Sequence, residues 1–212
     1  MKKSEKAKRP SYIHIEIDGY ILTISPGNDK LGYVHSISVT PGPGITCPLG
    51  VPCWNEGCYA RNMEAWRDTI RMSWARNLEA IKNIDPAKLA EAVAAKLNRR
   101  GVRLFRFNVG GDFGLKNYWE FACKLAELCP NTAFYAYTKF FGLADRPRPR
   151  NFNLVLSAWG ERRPCTDKAA VVYVDDEKTP IPAGAHKCTG HCQSCLVCAF
   201  ARPGQSVVIQ KH

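Results

Sequence analysis

The chain lacks long apolar runs: none approaches the ~18 consecutive residues a membrane span needs, so no spanning helix is expected. The basic start, MKKSEKAKRP, has no apolar segment behind it and does not read as a secretory signal. There is no internal repeat and no low-complexity segment. Acidic residues are scarce, 19 against 30 basic ones, for a net charge of +11. That excess favours an anionic partner, a nucleic acid, a nucleotide or another phosphate-bearing substrate, although a basic surface with no partner fits it as well. The hydrophobic share of 45% and charged share of 23% exclude a disordered chain. A length of 212 residues supports one domain with a sizeable core.

What the chain has in abundance is cysteine, ten residues in all. They do not spread as a secreted disulfide framework would. Cys47, Cys53 and Cys58 form one group, and Cys188, Cys192, Cys195 and Cys198 form another. Cys123, Cys129 and Cys165 are scattered. In a chain expected in the reducing cytoplasm, clustered cysteines read as metal or cofactor ligands.

Residues 1–10 read as a disordered basic tail, and 11–212 as a single α/β domain that includes the cysteine segment 186–200. Alternating apolar residues at Tyr12–Ile17 and Tyr20–Ile24 flank Asp18-Gly19, a hairpin turn signal. A strand over Tyr33–Val39 runs into the Pro/Gly-rich loop Pro41–Pro52. The spacing predicts one helix from Arg61 to about Asn83, with Met63, Trp66, Ile70, Trp74, Leu78 and Ile81 as its apolar stripe. A second helix starts at Asp85-Pro86 and stops at Gly101. Strands follow at Val102–Val109, Thr132–Thr138, Phe152–Ala158, Ala170–Val174 and Ser206–Gln210, with a helix at Lys116–Cys129 between the first two. This order predicts a partial (β/α) barrel of about six mainly parallel strands, with an N-terminal β-hairpin and a cysteine-rich C-terminal segment. A full eight-fold barrel takes ~250 residues.

The first cysteines lie in Cys47-Pro-Leu-Gly-Val-Pro-Cys53-Trp-Asn-Glu-Gly-Cys58-Tyr-Ala, an irregular strand-to-helix loop able to turn three thiolates to one centre. Three is one short of a closed site, which suggests an iron–sulfur cluster with one iron left open. The alternatives are zinc completed by a distant residue such as His35, or three unrelated thiols. Downstream, a strand ends at Gly110-Gly111-Asp112, where the backbone can approach a ligand closely. Asp112 as the cap of the next helix is the plainer reading. Other strand ends hold Thr138-Lys139 and Ser157, and ligands gather at such ends in parallel β/α folds. Leu104, Arg106 and Asn108 share an inward face, as Asn153, Val155 and Ser157 do. A buried Arg106 needs a partner, either a bound anion or Asp112.

These features resemble the radical S-adenosylmethionine (SAM) superfamily: a three-cysteine loop after the first core strand, then a strand ending in Gly-Gly and a carboxylate. The resemblance implies a partial barrel and a [4Fe–4S] cluster on Cys47, Cys53 and Cys58. It also implies SAM held near Gly110, Gly111 and Asp112, cleavage to methionine and a 5′-deoxyadenosyl radical, and an external electron donor. Asn108, Thr138, Lys139 and Ser157 are the further cofactor-binding candidates. The usual spacing in that superfamily is three residues and then two, whereas here it is five and then four. The chain is also similar to a phage-associated domain family, the gene product eighty-eight type. The match lies in Cys47-Pro48…Cys53…Cys58-Tyr59-Ala60, Gly111-Asp112-Phe113 and Tyr137-Thr138.

The second group packs Cys188, Cys192, Cys195 and Cys198 into one short segment beside His186 and His191. The successive two-residue gaps favour a second [4Fe–4S] cluster, with zinc as the alternative and Cys165 able to replace one ligand. Either metal would staple a segment thin in hydrophobic residues. Cys123 and Cys129 read as core packing. The competing functions are a radical SAM-type enzyme, a zinc-stapled nucleic-acid-binding module, and an iron–sulfur electron carrier without SAM.

Overall fold

The computed structural model describes residues 11–28, 32, 34–160, 162–165, 167–177 and 179–210. The expected basic tail and Tyr33 lie outside the described residues. Strands β1 (Ile13–Ile17) and β2 (Tyr20–Ile24) pair antiparallel, with Ile17 opposite Tyr20. The turn works because Asp18 and Gly19 both take positive φ, 51° and 79°, the twist that matches two strands. Ile13, Ile15, Leu22 and Ile24 alternate onto one buried face.

The remaining strands are β3 (His35–Ile37), β4 (Leu104–Phe107), β5 (Ala133–Thr138), β6 (Phe152–Ala158), β7 (Ala170–Asp175), β8 (His186–Lys187) and β9 (Ser206–Gln210). They form one seven-stranded sheet in the order β3-β4-β5-β6-β7-β9-β8, every neighbouring pair parallel. Five successive strands therefore lie side by side in chain order, as a (β/α) winding requires. The helices are α1 (Cys53–Glu56), α2 (Tyr59–Trp66), α3 (Asp68–Asn83), α4 (Pro86–Arg99), α5 (Lys116–Leu128), α6 (Cys192–Cys195) and α7 (Val197–Phe200). None among the described residues is long and apolar enough to cross a membrane.

Capping explains several boundaries. The Asp85 carboxylate accepts from the backbone N–H groups of Ala87 and Lys88 at 3.0 Å, with Pro86 in the first turn of α4. The helix expected from Arg61 to Asn83 is two helices. Arg67 breaks it, with extended φ −142° and ψ 99°. The expected stripe holds only in α3, where Leu78 and Ile81 are buried; Trp66, placed on the same stripe, is 85% exposed because the extended Arg67 turns α2 out of phase with α3.

Alternation splits the sheet into two faces. Phe105, Phe107, Phe134, Ala136, Phe152 and Leu154 point to the side of α3, α4 and α5 and join the main core. Phe107 anchors it, 5.3 Å from Phe152 and 5.7 Å from Phe134 between ring centroids. Burying a ring of this size contributes roughly 1.5–3 kcal/mol. The opposite face presents Leu104, Arg106, Tyr135, Tyr137, Asn153 and Val155, the parity the sequence led us to expect. The C-terminal segment lies across it. Ala199 packs with Val34 and Tyr135, and Ala201 with Val155, Val172 and Val207.

Candidate functional site

The segment between β3 and α2 brings three thiols to the carboxyl-terminal edge of the sheet: Cys47 on the loop after β3, Cys53 at the start of α1 and Cys58 at the N-cap of α2. Cys47 and Cys53 join a cluster with Val51, Trp159, Val174 and Ile209, and so lie over the ends of β6, β7 and β9. The Trp159 indole donates to Glu56 at 3.3 Å and ties that strand end to α1. Gly42 donates its N–H to the Cys47 sulfur at 3.5 Å. Cys53 and Cys58 are hydrogen-bonded to each other. That bond, two backbone N–H groups at the start of α2 and the Lys139 ammonium push the Cys58 thiol down, against burial. Burial pushes Cys47 up.

The glycines of the β4–α5 loop explain how the site is assembled. Gly111 has φ +78°, and a Cβ there would stand 2.5 Å from Val39 Cγ2 and 2.7 Å from Val39 O. A Cβ on Gly114 would meet Thr46 O at 2.6 Å, the atom that accepts the Gly114 N–H at 2.9 Å. The close approach that glycine permits here is thus between two protein loops, one of them carrying Cys47. Gly110 is filled by the Trp74 ring, 2.4 Å from where its Cβ would be.

Asp112 is buried at 3% exposure but does not cap α5, whose N-cap is Leu115. Its carboxylate accepts from Thr138 Oγ1 at 2.6 Å, Lys139 N at 2.7 Å and Phe113 N at 2.8 Å. Burial nevertheless pushes its pKa up, with Lys139 and these bonds opposing. Asp112, Thr138 and Lys139 therefore lock the ends of β4 and β5 together beside the three thiols. Asn108 sits at φ 59° and reaches Tyr137 O with its amide at 3.4 Å. Ser157 is buried in β6 opposite Val172 of β7.

Arg106 corrects the expectation of an ion pair with Asp112. Its guanidinium lies over the rings of Tyr137 and Tyr135, at 4.7 and 5.9 Å, with Cys192 and Cys198 as its other electrostatic neighbours. His35, weighed as a distant zinc ligand, opens β3 and feels the Arg100 guanidinium. It is therefore at the amino-terminal end, and the three cysteines are at the other.

Cys188, Cys192, Cys195 and Cys198 line one small cavity of about 20 Å³ with His186 and His191, floored by Leu104, Tyr135 and Val207. The Cys195 sulfur is 3.4 Å from His186 Nε2. Cys198 meets the Tyr137 hydroxyl at 3.0 Å, and its carbonyl accepts from the Asn153 amide at 2.8 Å. Burial pushes the Cys198 thiol up to about 11. Cys165 lies elsewhere, exposed and bonded to Asp167, so it is not a substitute ligand in this cavity. Cys129 is fully buried in the core and Cys123 packs against it, as expected.

Among the described residues, no three or more His, Cys, Asp or Glu side chains are disposed as a ready metal site. The donor chemistry still suits a soft metal. The first group is three interacting thiols in an apolar setting with a lysine to offset their charge, and the second is four thiols around one cavity. Sequence patterns passed over Glu64. One of its oxygens is buried without a partner, and burial and Cys58 push the carboxyl up to about 7.

The gene product 88 family profile matches residues 3–207. The chain belongs to the gene product 88 family. Two relatives are phage proteins: the Gene 88 protein of Mycobacterium phage L5, 26% identical over 147 residues, and that of Mycobacterium phage D29, 24% identical over 147. Each alignment covers 66% of this chain and 58% of the phage protein, so the chain spans little over half the length of the curated relatives it matches. No solved structure matches this member of the family.

Proposed function

We propose that this gene product 88 protein is an iron–sulfur enzyme of radical SAM type, with its cluster on Cys47, Cys53 and Cys58. The observation that carries the reading is the gathering of three interacting thiols with Lys139 at the carboxyl-terminal edge of an in-order parallel sheet. That edge is where such folds bind ligands. Cys47, Cys53 and Cys58 would hold such a cluster, which would supply an electron to a sulfonium such as SAM. The chain's own contribution is positional. Lys139 offsets thiolate charge, Trp159 and Val174 exclude water, and Asp112 holds the β4 and β5 ends in register. Because the Asp112 carboxylate already accepts three protein bonds, it supports the site rather than gripping a ligand amine.

The second cysteine group holds one zinc ion in this reading. His186 Nε2 lies 3.4 Å from the Cys195 sulfur, and an imidazole beside thiols is a mixed nitrogen and sulfur donor set that suits zinc. Anaerobic purification with iron, sulfide and zinc analysis tests both assignments, followed by an assay for SAM cleavage under reductant. Iron and sulfide that disappear in Cys58→Ala, with zinc retained, are expected. Protein free of iron and sulfide after reconstitution would overturn the cluster. An iron–sulfur protein that neither binds nor cleaves SAM would be an electron carrier.

A further inference from the structure

A cleft of about 380 Å³ separates the opening hairpin from α2 and α3, within the size range of small-molecule sites. Its walls carry Arg67, Arg76 and His14, and no carboxylate among the described residues. Neither arginine has an ion-pair or hydrogen-bond partner for its guanidinium among the described residues. The nearby basic residues Arg71, Lys82 and Lys88 are each paired to an acid. Arg67, at the break that splits the expected helix, is one of the wall residues. The hydroxyl-bearing Thr69 and Ser73 and the indole of Trp74 also line it.

The frame of this cleft is fixed. Asn77 accepts from Thr23 N at 2.7 Å and donates to Thr23 O and Ser38 O at 2.9 Å, which pins the hairpin to α3. Trp74 is seated against Gly110. Fixed walls avoid an ordering cost on binding. A guanidinium selects phosphate, hydroxyls suit a sugar, and an indole offers a base its face. Trp66, 85% exposed at the end of α2 and next to Arg67, offers a second stacking face outside the cleft.

We propose that this cleft binds a phosphorylated nucleoside, either free or as one residue of a single strand. Tyr59, which follows Cys58, and Val109, which precedes Gly110, both line it, so the ligand would lie next to the first cysteine loop. Its role as the enzyme's substrate rests on the reading above, whereas its binding does not.

The test is calorimetric titration of the full chain, wild type and Cys58→Ala, with the four ribonucleoside monophosphates and with short single-stranded oligonucleotides. Saturable binding to both proteins is expected. Arg67→Glu and Arg76→Glu should each weaken it by about tenfold or more. Arg99→Glu makes the same charge change on α4, outside the cleft, and should weaken it less than about twofold. Ser73→Phe fills the cleft without changing charge and should also block binding. Binding of a monophosphate identifies a free nucleotide, and binding of oligonucleotides alone identifies a strand. No saturable binding, equal loss in all three charge variants, or full binding by Ser73→Phe would overturn the proposal. Loss of iron in Cys58→Ala with binding intact separates the cleft from the cluster. Iron-free wild type that still binds would defeat the cluster alone.

Discussion

The two cysteine groups approach the same sheet face but are held there by different forces. The first is fixed by protein. Gly111 and Gly114 interlock with Val39 and Thr46, Asp112 bridges two strand ends, and Cys53 is buried against Trp159 and Val174. The second rides on a two-residue strand and two four-residue helices, and it has no fully buried cysteine to match Cys53. Helices this short are not stable alone. The comparison teaches that one group sits on a preformed support, while the other has little support of its own, which the proposed metal would supply.

The largest effect should come from breaking the second region. Cys195→Ala, or zinc removal by a strong chelator, should cost about 3–5 kcal/mol of apparent stability and expose residues 186–210 to hydrogen exchange. Cys58→Ala should lose its iron with little change in melting temperature. If Cys58→Ala unfolds the protein and Cys195→Ala does not, the comparison is reversed.

Next comes the interlocking of the first site. Gly111→Ala sets a Cβ against Val39 at a backbone angle L-residues avoid, so a loss of about 2–4 kcal/mol in chemical denaturation is expected. The same change at Gly50, also at positive φ but with open space around it, should cost only about 1 kcal/mol. Equal losses would show that backbone angle, and not loop interlocking, sets the cost.

Asp112→Ala strands the N–H groups of Phe113 and Lys139 and the Thr138 hydroxyl, and should cost about 2–3 kcal/mol by denaturation. Since these partners are all protein, the loss should be the same with and without SAM. A loss of SAM affinity at unchanged stability would return Asp112 to ligand binding.

The smallest effect is a pH dependence away from both groups. Burial and Arg100 hold the His35 pKa below its ordinary 6.5, so the native state binds fewer protons than the unfolded one. The contribution of His35 is intact above about pH 6.5 and is lost as pH falls below it. Wild type should therefore lose stability more steeply on acidification than His35→Gln, as read by melting temperature across that range.

Local signals in the sequence proved sufficient for local structure. Asp18-Gly19 makes its turn, Asp85-Pro86 opens α4, and β4 alternation puts Phe105 and Phe107 in the core with Arg106 opposite. The clustering of Cys47, Cys53 and Cys58 after a strand and before a helix was likewise legible. The partners of individual side chains were not. Asp112 stands in the pattern of a helix cap or ligand carboxylate, yet the donors that claim it come partly from β5. The break at Arg67 turns Trp66 out of the expected stripe, and nothing in the spacing revealed it.

The sequence by itself determined the alternation of strands and helices, the two faces of each strand, and which residues carry thiols. Those properties follow from periodicity and from the φ preferences of Gly, Pro and Asp, which act over a few residues. Only the tertiary structure decided what meets at each face. It set Trp74 under Gly110, Cys198 on Tyr137, and a cleft lined by Arg67 and Arg76 between the hairpin and α3. Such contacts join residues far apart in the chain, and they form only where the packing of the whole sheet brings the chain segments together.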